Sequence, residues 1–151
     1  MMTPMRALPI AVAVAFLLSA CYGSQTASPT PGGMGEVLPA LSLRGATIGL
    51  VVSGDAGCTS PALHSNAARI ELTLAGDETH YTIYLFRWRR PADFESASQA
   101  FATCVDDFVA QSEGEVPVDG VEVAPWRAYG PGWSEELHSL LEDALGNVGY
   151  R

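Results

Sequence analysis

The sequence predicts an α+β domain, a small antiparallel sheet with two helices packed on one face. Three observations carry this reading. Apolar residues alternate with polar ones over residues 46–52, 70–74 and 80–88, the period-two pattern of half-buried strands. Two later stretches, 94–108 and 137–145, repeat apolar residues at helical spacing. Asp119-Gly120 stands between short valine runs, a two-residue hairpin signal.

Each element has its own warrant. Ala46, Ile48, Leu50 and Val52 share one face of a first strand, which Ser53-Gly54-Asp55-Ala56-Gly57 ends. From there to Asn66 the chain reads as a loop that holds Cys58. Ile70, Leu72 and Leu74 alternate with Glu71 and Thr73 in a second strand, and Gly76-Asp77-Glu78 turns the chain. The stretch 80–88, rich in Tyr, Ile, Phe and Trp, makes a third strand that pairs antiparallel with the second. Pro91 or Asp93 opens a helix. Phe94, Ala97, Phe101, Cys104, Val105 and Phe108 form its apolar stripe, and Gly114 is expected to end it. Pro117 marks the following hairpin arm as a sheet edge, and residues 126–133 read as a Gly/Pro/aromatic loop. Ser134 caps the last helix, with Glu135 and Glu136 where the helix dipole favours negative charge. Leu137, Leu140, Leu141, Ala144 and Leu145 are its stripe, and Gly146 is expected to end it.

The N-terminus carries a different signal. Behind Arg6, residues 7–20 are almost wholly apolar. The run is short for a membrane span, which needs about 20 apolar residues, and it suits the core of an export signal. It ends in Leu18-Ser19-Ala20-Cys21, which resembles the lipobox of bacterial lipoproteins. The resemblance implies that residues 1–20 are removed as a signal peptide and that Cys21 carries a diacylglycerol. It also implies a cell-membrane protein, lipid-anchored, with its domain on the extracytoplasmic side. Residues 21–36, rich in Ser, Thr, Pro and Gly, then read as the lipidated cysteine and a flexible tether. Residues 37–151 remain as a single domain. With Cys21 taken by lipid, Cys58 and Cys104 are left as a pair in an oxidising compartment, so the resemblance implies a disulfide between them.

Composition narrows the function classes. Lys and Arg total 8 against 17 Asp and Glu, giving a net charge of −9, and none of the bases is lysine. Such a chain lacks the basic face that nucleic-acid binding needs. It is also repelled by anionic lipid, so contact with the membrane is expected through the acyl anchor alone. No nucleophile elbow, His-Glu-x-x-His motif, phosphate-binding glycine loop or Cys-x-x-Cys pair occurs. His64, His80 and His138 fall on different predicted elements, and Asp55, Asp77 and Glu78 sit in turns where acids bond their own backbone. No loop offers the alternating acids that calcium requires. No catalytic residue, metal or cofactor is therefore expected.

Two segments offer candidate binding residues. In Phe86-Arg87-Trp88-Arg89-Arg90, strand alternation puts the aromatics on one face and Arg87 and Arg89 on the other. The run fits a core strand with a charged outer side. Equally, Arg87, Arg89 and Arg90 fit an anion-binding strand end for a phosphate, carboxylate or acidic glycan. Trp126 and Trp133, in the aromatic loop, suit either a recognition surface or a plug over the core. The aromatic strand followed by a helix carrying Cys104 is similar to small sensor-like domains of bacterial lipoproteins and receptor kinases. The functional expectation is a lipid-anchored protein with a non-catalytic binding, sensing or scaffolding role at the cell envelope. Its partner would be an envelope protein, a small anionic ligand or a glycan. The alternatives are an envelope hydrolase drawing on Ser65, His80 and Asp55, or an assembly factor that pairs through an edge strand.

Overall fold

A computed structural model of the chain describes residues 33–113 and 116–149. The signal segment, Cys21 and Gly114 lie outside these residues. The elements run α1 (Met34–Ser42), β1 (Ala46–Ser53), α2 (Pro61–His64), β2 (Ala67–Leu74), β3 (Tyr81–Arg87), α3 (Pro91–Ser96), α4 (Ser98–Gln111), β4 (Val118–Val123), β5 (Trp126–Pro131) and α5 (Glu135–Asn147). The strands form one sheet in the order β1-β2-β3-β5-β4, and every neighbouring pair is antiparallel. The α+β class, the β2–β3 hairpin and the Cys58–Cys104 disulfide are all present.

The helices divide between the two faces of the sheet rather than sharing one. The cause lies in β3, where alternate side chains point to opposite faces. Tyr81, Ile83 and Leu85 join one core with Ile70, Leu72 and Leu74 of β2, and α1 and α5 cover it. Tyr84 and Phe86 join a second core with Trp88, and α2, α3 and α4 cover that one. Both sides of β3 are apolar, so a single helical layer would leave one side in water. The sequence pattern of the helices reveals their apolar stripes but not which face of the sheet each stripe meets.

Helix α1 begins at Met34, inside the stretch that reads as a tether. Val37, Ala40 and Leu41, one helical face, are buried against the first core. Pro39 lies mid-helix. A second departure concerns Asp119-Gly120, which does not turn the chain. Asp119 pairs with Gly130 and Gly120 with Tyr129 in the middle of β4, and the reversal falls at Ala124-Pro125. The expected aromatic loop is the strand β5, buried along nearly all its length. Gly120 suits its place because a β-carbon there would crowd the Ala128 carbonyl at 3.3 Å. Asp119 accepts a hydrogen bond from the Trp133 backbone N–H at 3.1 Å.

The long predicted helix breaks into α3 and α4 at Ala97. Ser96 Oγ donates to the Asp93 carbonyl and Ser98 Oγ to the Glu95 carbonyl, so side chains compete for the helix's acceptors at the break. The stripe survives it: Phe94, Ala97, Phe101, Cys104, Val105 and Phe108 all enter the second core. Helix α5 is capped as its sequence implies, with Ser134 Oγ accepting from the Leu137 N–H at 3.2 Å. It runs through Gly146 to Asn147.

Both sheet edges are blunted. A bulge between Ile48 and Val51 interrupts β1, and Pro117 immediately precedes β4.

Two glycines make opposite predictions. At Gly130 a β-carbon would collide with the Thr82 carbonyl and the Trp133 indole, which are hydrogen-bonded to each other at 3.1 Å. Gly130→Ala should lower unfolding free energy by about 1–3 kcal/mol or more through overpacking. At Gly146 nothing lies within 4 Å, and Gly146→Ala should raise stability by about 0.5–1 kcal/mol. Urea denaturation of both variants measures the pair.

Candidate functional site

Strand β3 sets the geometry of the arginine run. Phe86 and Trp88 stack in the second core with centroids 6.1 Å apart. Arg87 turns to the opposite face, its guanidinium 5.9 Å from the Trp126 ring centroid. Arg89 is exposed. Arg90 points away into a bidentate pair with Asp93, both bonds 2.7 Å, at the start of α3. That pair is solvent-exposed, so water screening leaves it little weight in stability. The structure thus separates Arg90 from the other two.

Arg87 and Arg89 line a cleft of about 470 Å³ together with Ser53, His64, Ser65 and Asn66. Met34, Ala67 and Ala68 supply its apolar surface. It lies where β1 ends, β2 begins and β3 ends. Backbone bonds hold this frame: Gly54 N–H donates to the Ala67 carbonyl at 2.8 Å and Arg87 N–H to the Asn66 carbonyl at 2.9 Å. His64 Nε2 donates to the Cys58 carbonyl at 3.4 Å, a long contact beside the disulfide loop. Among the described residues, no acidic side chain lines the cleft.

Trp126 and Trp133 take no part in an exposed surface. Trp126 is wholly buried and Trp133 is 8% exposed, both in the first core. Their indole N–H groups donate inward, to the Val148 carbonyl at 3.4 Å and the Thr82 carbonyl at 3.1 Å. They plug the core, one of the two roles their sequence setting suits, and they form no recognition surface.

Arg127 is the residue that the sequence reading missed. It is 2% exposed, while Glu122, its cross-strand partner in register, is largely in solvent. Nε donates to Glu122 Oε2 at 2.9 Å, Nη2 to Ser98 Oγ at 2.8 Å and Nη1 to the Phe94 carbonyl at 2.9 Å. The guanidinium lies 4.0 Å from the Phe94 ring centroid, with Trp88 and Phe101 also around it. A planar fork that stacks on aromatics while bonding along its edges fits this place, and an ammonium does not. Arg127 therefore ties β5 to the junction of α3 and α4. Its signal in the sequence is its alternation with Trp126 and Ala128, legible only once residues 126–131 are known to be a strand.

Beside the disulfide, Tyr129 Oη donates to the Ala56 carbonyl, and Tyr129 stacks on Tyr84 at 5.1 Å. Gly57, at φ 70°, lies so close to both rings that a β-carbon would meet Tyr129 Oη at 2.6 Å. Asp55 pairs with Arg69 at 3.3 Å. Burial raises the Tyr129 phenol well above the ordinary tyrosine range, with the negative potential of Tyr84, Asp55 and Asp107 adding to it.

Ser65, His80 and Asp55 are not brought together. Ser65 lines the arginine cleft, whereas His80 lines a smaller one with Thr47, Glu71 and Thr73. These lie at opposite ends of the β2–β3 hairpin, about 20 Å apart at roughly 3.3 Å per residue. No group of three or more His, Cys, Asp or Glu among the described residues could hold a metal ion. Compared with known proteins, the chain matches no family model, no curated protein and no solved structure.

Two measurements test these assignments. Arg127→Lys should lower stability by about 1–3 kcal/mol, because the buried Phe94 carbonyl loses its partner, whereas Arg90→Lys, at an exposed surface pair, should leave it nearly unchanged. The folded state holds the Tyr129 proton more tightly than the unfolded chain, whose tyrosines titrate near about 10. Stability should thus be intact below that pH and fall as pH rises above it. Tyr129→Phe should make the fall shallower in urea titrations at stepped alkaline pH.

Proposed function

We propose that this protein is an exported lipoprotein, anchored through Cys21, whose α+β domain is a binding module outside the cytoplasm. The observation that carries this reading is the Cys58–Cys104 disulfide. Its Cα atoms are 5.3 Å apart and Cys104 is wholly buried. Disulfides persist in oxidising compartments. This one joins the loop after β1 to α4, and its loop of 46 residues gives a chain-entropy stabilisation of about 4 kcal/mol. A stable bridge at that place supports export, and Leu18-Ser19-Ala20-Cys21 supports lipid attachment as the way the exported chain is retained. No helix among the described residues is long and apolar enough to cross a membrane.

Binding is favoured over the two alternatives by specific features. The hydrolase reading needs a nucleophile, base and acid within hydrogen-bond reach, and Ser65 and His80 face different clefts. Assembly through an added strand needs an open edge, and a bulge and a proline blunt the two edges here. What remains is a framed cleft with convergent polar groups, the ordinary form of a small-ligand site.

Expression in a bacterial host with radiolabelled palmitate tests the anchor. The label should enter the wild-type chain and follow it into the membrane fraction. Cys21→Ser should take up no label and leave that fraction. An unlabelled wild-type chain, or a Cys21→Ser chain that stays with the membrane, would sink the proposal.

A further inference from the structure

The disulfide offers its two sulfurs to solvent unequally. Cys58 is partly exposed on the loop after β1, whereas Cys104 of α4 is wholly buried. We infer that the bridge is a redox latch opened by a dithiol reductant. Attack falls on Cys58 Sγ in the folded domain, and residues 57–60 are released while Cys104 stays in the core. This goes beyond the binding role and rests on the bridge alone, not on the lipid anchor.

Thiol–disulfide exchange runs through a mixed disulfide, and access decides which sulfur is attacked. A nucleophile that reached Cys104 Sγ would have to enter the second core, where that sulfur lies 3.5 Å from the Ala56 carbonyl and 3.6 Å from Tyr129 Oη. Cys58 lies at the rim, between Gly57 and the exposed Thr59. The reductant's first thiolate therefore bonds to Cys58 Sγ as the Cys58–Cys104 bond breaks, and the electron pair goes to Cys104 Sγ. Its second thiolate then displaces Cys58 Sγ and closes the reductant's own disulfide. Two electrons enter the bridge, and the two protons that the dithiol gives up end on the two cysteines. The buried product has partners in place: the Cys104 thiol can donate to the Ala56 carbonyl or accept from Tyr129 Oη.

The fold confines what is released. Upstream, Ser53 pairs with Ala68, and Gly54 N–H donates to the Ala67 carbonyl at 2.8 Å. Ala56 is wholly buried, and its carbonyl holds the Tyr129 hydroxyl. Downstream, Leu63 of α2 is buried in the second core. Residues 57–60 run between these fixed points, and none of the four is buried. Gly57 N–H bonds locally to Asp55 Oδ1 at 3.0 Å, and the Cys58 carbonyl meets His64 Nε2 through a long contact on the surface. The stacked rings and the sheet draw on side chains outside this segment. Opening the bridge thus loosens a short segment without dissolving either core, a local rather than a global transition.

Thiol exchange on the full chain in neutral detergent tests the latch. β-Mercaptoethanol, a neutral monothiol, forms the mixed disulfide, which acid traps for peptide mass mapping. The adduct should fall on Cys58 at least about tenfold more often than on Cys104, and in concentrated urea, where access is equal, the two should agree within about twofold. Dithiothreitol, as the dithiol, should then reduce the bridge while the near-ultraviolet circular dichroism of the aromatic core is retained. Backbone order parameters from nuclear magnetic resonance should fall below about 0.6 at residues 58–60 and stay near about 0.85 in β2 and β3. Equal labelling of the two cysteines in the native chain, or reduction that proceeds only in urea, overturns the attack site. Loss of the near-ultraviolet signal on reduction, or unchanged order at residues 58–60, overturns the latch. Mapping reports Cys21 separately, so a free thiol there, which would sink the lipid anchor, leaves the result on the bridge legible.

Discussion

Strand β3 has to be covered on both sides, and the architecture follows from that need. Tyr81, Ile83 and Leu85 face one way while Tyr84 and Phe86 face the other, and all but Tyr84 are fully buried. With β2 on one flank and β5 on the other, β3 is the middle of the five-stranded sheet. Neither face of a central strand can be left to water when each carries large apolar groups. The aliphatic face takes α5 and α1, whose leucines and valine fill the first core. The aromatic face takes α4 and the shorter helices.

The two layers are built differently. Aliphatic side chains interdigitate in the first core, whereas the second is a set of rings. Tyr84, Tyr129, Phe86 and Trp88 stack in a row across β3 and β5, and Phe94, Phe101 and Phe108 meet them edge-on from the helices. Such pairs each add about 0.5–1.5 kcal/mol beyond area burial. At one end of the row the ring faces receive the Arg127 guanidinium. At the other, the disulfide and the Tyr129 bond to Ala56 hold the loop after β1 against it. A buried charge costs several kcal/mol unless its hydrogen bonds are met, and Glu122, Ser98 and the Phe94 carbonyl meet them here.

The cleft forms where the ends of β1 and β3 meet the start of β2, with Met34 of α1 and His64 of α2 beside them. Arg87 is the first residue of β3 whose side chain is charged. Its position over Trp126 on the aliphatic side follows from strand alternation, as residues 86–90 imply. That Arg90 would leave the group for Asp93 could also have been read from their three-residue spacing at a helix start. The participation of His64, Ser65 and Asn66 could not, because they reach the site through the pairing of distant strands.

Local pattern was enough for the strands β1, β2 and β3, the aromatic stripe, the Ser134 cap and, by way of the lipobox resemblance, the pairing of Cys58 with Cys104. These depend on periods of two or 3.6 residues, or on a short list of partners, which a single chain displays openly. Local pattern misjudged Asp119-Gly120 because a hairpin dipeptide is also tolerated within an edge strand when Tyr129 lies opposite Gly120. It misjudged residues 126–131 because Gly130 resembles a loop residue until Trp133 is seen to occupy the space above it. Which face each helix covers, the burial of Arg127 and the gathering of Arg87 and Arg89 with His64 were decided only in three dimensions. Periodicity records that a side chain must leave water. What it meets there depends on segments far away in the chain, and no local signal names them.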